Sequence, residues 1–266
     1  MTASDPAAAP ANPNGRLVEL DGISKRFGAK LAVSDVHLHL RAGEVFAFLG
    51  PNGAGKTTTM KLTTGLLRSD TGGVRVCGFD MARDPRRAKQ HLAYVPDTPF
   101  LYDKLTGREF IEFTREMYGV PRAVARQRLE VLTERLDMHG ILDNLAESYS
   151  HGTKQKVVIA AALIHDPRVL VVDEPMVGLD PRSIRVMKTI CRELAAAGGT
   201  VFLSTHILEI AEQVADRIGI IHLGRLVALG TLAELRASAA PGSRLEDIFL
   251  QLTGGDGSAP PETPRG

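Results

Sequence analysis

The sequence predicts a layered α/β domain with a helical lobe set into it. Three runs, Val45–Leu49, 169–172 and 201–204, are nearly all apolar, as strands covered on both faces must be. Each run stops at a cluster of polar residues, and open α/β sheets hold their ligands beyond such carboxyl ends of strands. Between the first run and the second, residues 99–149 offer no buried strand and read as helices. Composition agrees with a globular chain: 44% of the 266 residues are hydrophobic and 24% charged, which excludes a collagen, a coiled-coil rod or a wholly disordered protein.

Residues 1–15 are rich in Ala and Pro and lack the basic start and apolar run of a secretory signal, so a disordered leader is expected. The first strand runs into Gly50-Pro51-Asn52-Gly53-Ala54-Gly55-Lys56-Thr57-Thr58, and a helical pattern follows over 56–66. In the middle stretch Thr106 and Glu109 have capping-box spacing, and Phe110, Phe113 and Met117 then share one helical face. A second helix after Pro121 carries the stripe Ala125, Leu129, Leu132 and Leu136. Thr231 with Glu234 repeats the capping box, and Leu245, Ile248, Phe249 and Leu252 form a last stripe. All these stripes are expected to pack into the core. Residues 254–266 combine Gly, Pro, Ser and Thr without apolar anchors and should be unstructured, which leaves a folded part of 16–253.

Lys and Arg number 32 against 31 for Asp and Glu, so no global field draws the chain to nucleic acid or anionic lipid. Cys77 and Cys191 have neither metal-ligand spacing nor a disulfide framework, which suits a reducing compartment. The longest uncharged stretch, 194–208, is interrupted by Gly198, Gly199, Ser204, Thr205 and His206, so no membrane-spanning helix is expected.

The glycine-rich loop carries the chemistry. Glycines let backbone N–H groups turn inward around phosphate oxygens, and the start of the following helix adds partial positive charge. In that arrangement Lys56 reaches the β- and γ-phosphates and the Thr57 hydroxyl binds Mg²⁺. The second strand delivers Asp173, placed to hold Mg²⁺ directly or through water, and Glu174, the candidate base for attacking water. His206, after the third strand, is placed to hydrogen-bond the γ-phosphate and that water.

With these parts the chain resembles the ATP-binding subunit of ABC transporters over nearly its whole length. Beyond the two Walker motifs, Tyr149-Ser150-His151-Gly152-Thr153-Lys154-Gln155-Lys156 is similar to the signature usually written LSGGQ. Gly178-Leu179-Asp180-Pro181 resembles the D-loop, His206 the switch histidine, and Phe27 the aromatic residue that stacks on adenine. The resemblance implies a P-loop NTPase core of ABC-ATPase type, with an inserted helical subdomain at about 99–165 and a small antiparallel β subdomain. It implies ATP and Mg²⁺ as cofactors, Phe27 and residues 50–58 around the nucleotide, and Asp97 near nucleotide and metal. It further implies a head-to-tail dimer in which Ser150 and Gly152 meet the ATP held by the other subunit. A separate integral membrane permease would then be the partner, at the cytoplasmic face of the membrane, with no nucleic acid.

Two departures stand out. Asp97, in Tyr94-Val95-Pro96-Asp97, occupies the family's usual glutamine position; it keeps an oxygen for Mg²⁺ or its waters, or caps a turn. His151 replaces the first signature glycine and Thr153 the usual glutamine; a side chain at 151 crowds the phosphate or donates a hydrogen bond to it. Similar substitutions, and the tail Arg244-Leu245-Glu246-Asp247-Ile248-Phe249, resemble ATPases of antibiotic-resistance exporters. A competing reading is a soluble ABC ATPase acting on nucleic acid or ribosomes, for which the basic residues in 83–89 are the modest support. Another is a weak ATPase whose active partner is a different cassette.

Overall fold

The computed structural model describes residues 15–254 apart from 177 and 241; the expectations for the leader to residue 14 and for the tail from 255 lie outside the described residues. In chain order the elements are β1 (Arg16–Phe27), β2 (Lys30–Arg41), β3 (Val45–Leu49), α1 (Lys56–Thr63), β4 (Thr71–Val76), β5 (Phe79–Asp80), α2 (Pro85–Gln90), β6 (Leu92–Val95), α3 (Gly107–Tyr118) and α4 (Arg122–Leu136). There follow α5 (His151–Leu163), β7 (Val169–Asp173), α6 (Pro181–Ala196), β8 (Thr200–Thr205), α7 (Leu208–Val214), β9 (Arg217–His222), β10 (Arg225–Gly230), α8 (Leu232–Ala237) and α9 (Leu245–Thr253).

The three apolar runs are neighbours in one 6-stranded sheet of order β10-β9-β3-β8-β7-β6, parallel except for β10. A second, antiparallel sheet has 4 strands in the order β2-β1-β4-β5. Alternation along β3 shows why the run has no polar residue. Phe46 and Phe48 point into a core shared with the antiparallel sheet and α1, whereas Val45 faces the helices α3 to α6 and Ala47 and Leu49 face α7 to α9. Phe202 on β8 joins the first of these cores with ring centroids 5.8 Å from Phe46 and 5.5 Å from Phe48.

Both predicted capping boxes are formed, at Thr106/Glu109 and Thr231/Glu234. The stripe on α4 is buried at Ala125, Leu132 and Leu136 and half-buried at Leu129. On α3 the expectation is corrected. Phe110 packs partly against the core, but Phe113 and Met117 are 46% and 70% exposed, and Ile111 with Gly107 takes the buried face instead. The helix carries two apolar stripes about one residue apart in angle, and α5 covers only the one that contains Ile111. Phe113 and Phe110 instead flank Tyr102, which in turn meets Phe100, in an exposed aromatic cluster. Helix α1 is also shorter than its sequence pattern: it stops at Thr63, because Gly65 takes a left-handed φ of 65° and turns the chain toward β4.

Both cysteines are buried and free. Burial pushes the Cys77 thiol up to about 11 and that of Cys191 up to about 12, so neither is a thiolate at neutral pH. The junction of the helical stretch with the sheet is aromatic: Tyr118 at the end of α3 stacks on His165 after α5 with centroids 3.6 Å apart. The His165 Nε2 and the Tyr118 hydroxyl both face the Leu92 carbonyl on β6, at 3.3 and 3.4 Å. Burial pushes the His165 imidazole down to about 4, below its unfolded value of about 6.5. Protonation therefore favours the unfolded chain, and the associated stability is present above pH ~6.5 and lost as pH falls toward 4. Replacing His165 by Phe keeps the stack without the titration. Urea unfolding at pH 7 and pH 4.5 should show the wild type losing up to about 3 kcal/mol more than H165F over that interval.

Candidate nucleotide site

Parallel pairing sets the site. The β3–β8 register puts Leu49 beside Thr205, and the β7–β8 register puts Asp173 beside Ser204, so the glycine-rich loop, the acidic pair and His206 leave the sheet side by side. From Leu49 the chain wraps over Gly50 to Gly55 and α1 begins at Lys56. Gly55 has a φ of 114°, and a Cβ there would lie 2.5 Å from the Ala32 carbonyl, so conformation and space both require glycine. At Gly50 a Cβ would lie 2.5 Å from the Ile221 carbonyl, which keeps the loop tight against β9.

Lys56 is buried, and its ammonium donates to the carbonyls of Gly50 at 2.7 Å and Pro51 at 3.3 Å. It also pairs with Glu174 Oε1 at 3.5 Å, while Glu174 Oε2 lies 2.9 Å from His206 Nδ1. The Glu174 carboxylate thus sits between a buried cation and an exposed imidazole. Its backbone φ is 49°, a left-handed conformation costly for a residue with a side chain, and its N–H donates to Ser204 Oγ at 3.1 Å. That same Ser204 hydroxyl donates to Asp173 Oδ1, so one serine braces both acidic residues.

Asp173 is fully buried and its Oδ2 has no hydrogen-bond partner within the chain. Burial pushes its carboxyl above the usual carboxylate range; Ser204 and the adjacent Thr57 oppose this, and the charges of Asp97 and Glu174 add to it. The Tyr94 hydroxyl, just beneath, is likewise buried and unpartnered, and burial raises its pKa, with Asp173 and Asp97 contributing.

An open cleft of about 280 Å³ lies in front of these groups. Of the sequence-predicted residues, Phe27, Pro51, Asn52, Gly53, Gly55, Lys56, Thr57, Thr58, Asp97 and Glu174 line it. Gly50, Ala54 and Asp173 are buried behind that lining, and His206 reaches it through Glu174. Phe27 is 48% exposed at the rim. Asp97 lines the cleft, and its Oδ1 accepts from Thr98 N–H at 2.8 Å. Ser150 and Gly152 lie outside the cleft, at the start of α5, where Ser150 Oγ accepts from Thr153 N–H at 3.2 Å and shares a hydrogen bond with the Thr153 hydroxyl at 2.9 Å. A larger groove of about 600 Å³, between α4 and α6, contains none of the strand-end residues.

Sequence reasoning missed Lys30 and Ala32, which also line the cleft, and Ser204. Lys30 was findable, since a hairpin turn just after Phe27 returns it to the same rim. Ser204 was not, because its role follows from strand register.

Residues 33–177 match the ABC transporter family. The chain belongs to the ATP-binding proteins of that family. It is 36% identical to the linearmycin resistance ATP-binding protein LnrL of Bacillus subtilis (strain 168) over 238 residues, spanning 89% of this chain and 75% of that protein. It is 37% identical to the daunorubicin resistance ATP-binding protein DrrA3 of Streptomyces coeruleorubidus over 242 residues, 91% of this chain and 76% of that one. A solved ATP-binding subunit of an ABC transporter superposes with a TM-score of 0.85 at 34% identity, covering 89% of this chain and 99% of its own. A dimeric ATP-binding cassette bound to ADP and Pi shares the fold at 22% identity, with a TM-score of 0.72. This ABC protein is accordingly an ATPase, the ATP-binding and ATP-hydrolysing subunit of a transporter.

Asp173 is a buried carboxylate with one oxygen that has no partner within the chain, which costs stability. Asp173→Asn should therefore raise the nucleotide-free melting temperature by roughly 2–4 °C, about 1 kcal/mol for a chain of this size. The same variant should lose most of the thermal shift that Mg-ATP gives the wild type. Differential scanning calorimetry with and without Mg-ATP measures both, and an unchanged Mg-ATP shift would remove Asp173 from the site.

Proposed function

We propose that this subunit powers export through a separate integral membrane permease, docked at the cytoplasmic face of the membrane, with residues 16–253 as the ATPase domain and about 99–165 as its helical subdomain. The observation that carries the reading is the Glu174 carboxylate held between Lys56 and His206, beside buried Asp173 and in front of the loop that wraps phosphate. A triphosphate entering the cleft would draw Lys56 from Glu174 to its own oxygens, leaving Glu174 free to take a proton from attacking water, with His206 orienting it. The residues present suit Mg²⁺: Asp173 has a buried oxygen without a partner, and the Thr57 hydroxyl and the Asp97 carboxylate supply further hard oxygen donors. When bound, that ion neutralises phosphate charge.

In the proposed dimer two of these subunits, or this one and a second cassette, face each other head to tail. Ser150, Gly152 and the open N-terminus of α5 form an outward anion-binding surface for the partner's nucleotide. Permease docking is supported by Phe100, Tyr102, Phe113 and Met117, which lie exposed together a few residues after Asp97 and on α3. No helix among the described residues is long and apolar enough to cross a membrane. Export rather than import is supported by the resistance proteins among the relatives. The basic stretch that would favour nucleic acid is engaged locally: Arg87 pairs with Asp84 at 3.6 Å and lies over Phe79, and Lys89 donates to the Gly65 carbonyl at 3.2 Å.

Two measurements test this reading. Glu174→Gln should lower turnover by about 10² to 10⁴ while ATP affinity stays near wild type; near-normal hydrolysis would exclude Glu174 as the base. Replacing Phe113 and Met117 together by Ser should leave ATP binding and melting temperature unchanged and abolish co-purification with the permease from membranes. Retention of the permease by that double variant would move the docking surface elsewhere.

A further inference from the structure

The family signature usually opens on leucine, which has no hydrogen-bonding side-chain atom; this chain has Tyr149 there. Tyr149 is 9% exposed, and its hydroxyl meets three backbone groups. It donates to the Ile141 carbonyl at 2.7 Å and the Asn144 carbonyl at 2.8 Å, sharing one proton between them, and it accepts from the Gly107 N–H at 3.1 Å. Gly107 opens α3, so its N–H is one of those that have no partner within the helix. A Cβ on Gly107 would lie 2.7 Å from the Tyr149 hydroxyl, so the phenol needs glycine at 107 in order to reach that N–H.

This hydroxyl closes a junction between segments far apart in sequence. Thr106 and Leu145 form an antiparallel bridge, the Ala146 N–H donates to the Leu105 carbonyl at 2.9 Å, and the Arg108 N–H donates to the Leu142 carbonyl at 2.9 Å. Backbone bonds thus join the start of α3 to residues 142–146, and the Tyr149 side chain extends the join to the start of α5. The next residue, Ser150, is exposed and caps α5, with the Thr153 N–H donating to its hydroxyl and the Lys154 N–H to its carbonyl. The serine presented outward is held from behind by a buried neighbour.

We infer that Tyr149 is a positioning residue for the partner's nucleotide: its hydroxyl fixes Ser150 and the first turn of α5 against α3 before two subunits meet. This inference rests on the dimer reading above. A surface already in place loses less freedom when it closes on a triphosphate than one that must be ordered at that moment. Leucine at 149 would fill the space but bond none of the three groups, leaving them to find other partners or go unmet. Tyr149 does not line its own subunit's cleft, so it acts through Ser150.

The experiment places Tyr149→Phe and Gly107→Ala, singly and together, in the full-length Glu174→Gln chain and follows ATP-driven dimerisation by sedimentation. Phenylalanine keeps the ring and removes the hydroxyl, whereas alanine drives a methyl group against the hydroxyl. Each single change should weaken the dimer by about 10-fold, while calorimetry at low protein concentration should find monomer ATP affinity changed by less than about 2-fold. In the pair the methyl has no hydroxyl to displace, so the double variant should dimerise within about 2-fold of Y149F rather than about 100-fold worse than the parent. Hydrogen exchange of the monomer, which needs no dimer, should be at least about 5-fold faster in Y149F at the Thr153 and Lys154 amides that bond to Ser150. Parent-like dimerisation of Y149F, whatever its melting temperature, would overturn the inference, and so would unchanged exchange at those two amides. A parent chain that forms no dimer with ATP would sink the dimer reading, and with it any role toward a partner's nucleotide, even where exchange shows Ser150 loosened.

Discussion

Pairing of β7 with β8 is the constraint on which the site depends. Because Asp173 lies opposite Ser204, one hydroxyl donates to the buried carboxylate and accepts from the Glu174 N–H. That donor satisfies one oxygen of a buried carboxylate, and that acceptor, with the Ser204 carbonyl, holds the Glu174 N–H where the residue takes its positive φ. A shift of one residue between the strands would turn Ser204 to the opposite face of the sheet and leave both acidic groups unsupported. The fully buried lengths of β3, β7 and β8 fix the register by packing on both faces, so burial in the core is what aims the carboxylates.

Strain and charge then collect at one point. Glu174 is held in an unfavourable backbone conformation, Asp173 is partly desolvated, and Lys56 is buried against two carbonyls with Glu174 as its counter-charge. Each of these costs stability alone, and in the proposed nucleotide complex Asp173 and Lys56 would gain partners from a cation and phosphate oxygens.

How much of this could be read from the sequence depended on whether a feature is local. The glycine loop, Lys56, Thr57 and the acidic pair were legible because contiguous residues define them and a buried strand precedes each group. Ser204 was not, since nothing within 201–204 says which strand lies beside it. The two stripes of α3 show a related limit: periodicity reveals an apolar face, but only the packed structure shows that α5 covers Ile111 and leaves Phe113 and Met117 bare. Strand β6 escaped notice because it has only 4 residues, and β9 and β10 because Arg217, Gly219, His222, Arg225 and Gly230 break or bound their apolar runs; the antiparallel sheet entered only through family resemblance. His151 was legible as an anomaly, but that its ring lies over the Gly178 α-carbon was not.

Asp97 joins the cleft to the exposed aromatics by chain geometry alone. It follows β6 directly, lines the cleft, and anchors the turn at Thr98; Phe100 and Tyr102 come next, followed by α3 with Phe113 and Met117. Any cation that draws the Asp97 carboxylate inward must pull on the segment carrying Phe100. Glutamine in the same place would reach one methylene further and carry no charge, so it would answer nucleotide with less electrostatic force and more slack. The shorter charged residue makes a tauter link. In the proposed transporter this places the response to ATP and the permease contact on one short stretch of chain, braced at its far end by the stack of Tyr118 on His165.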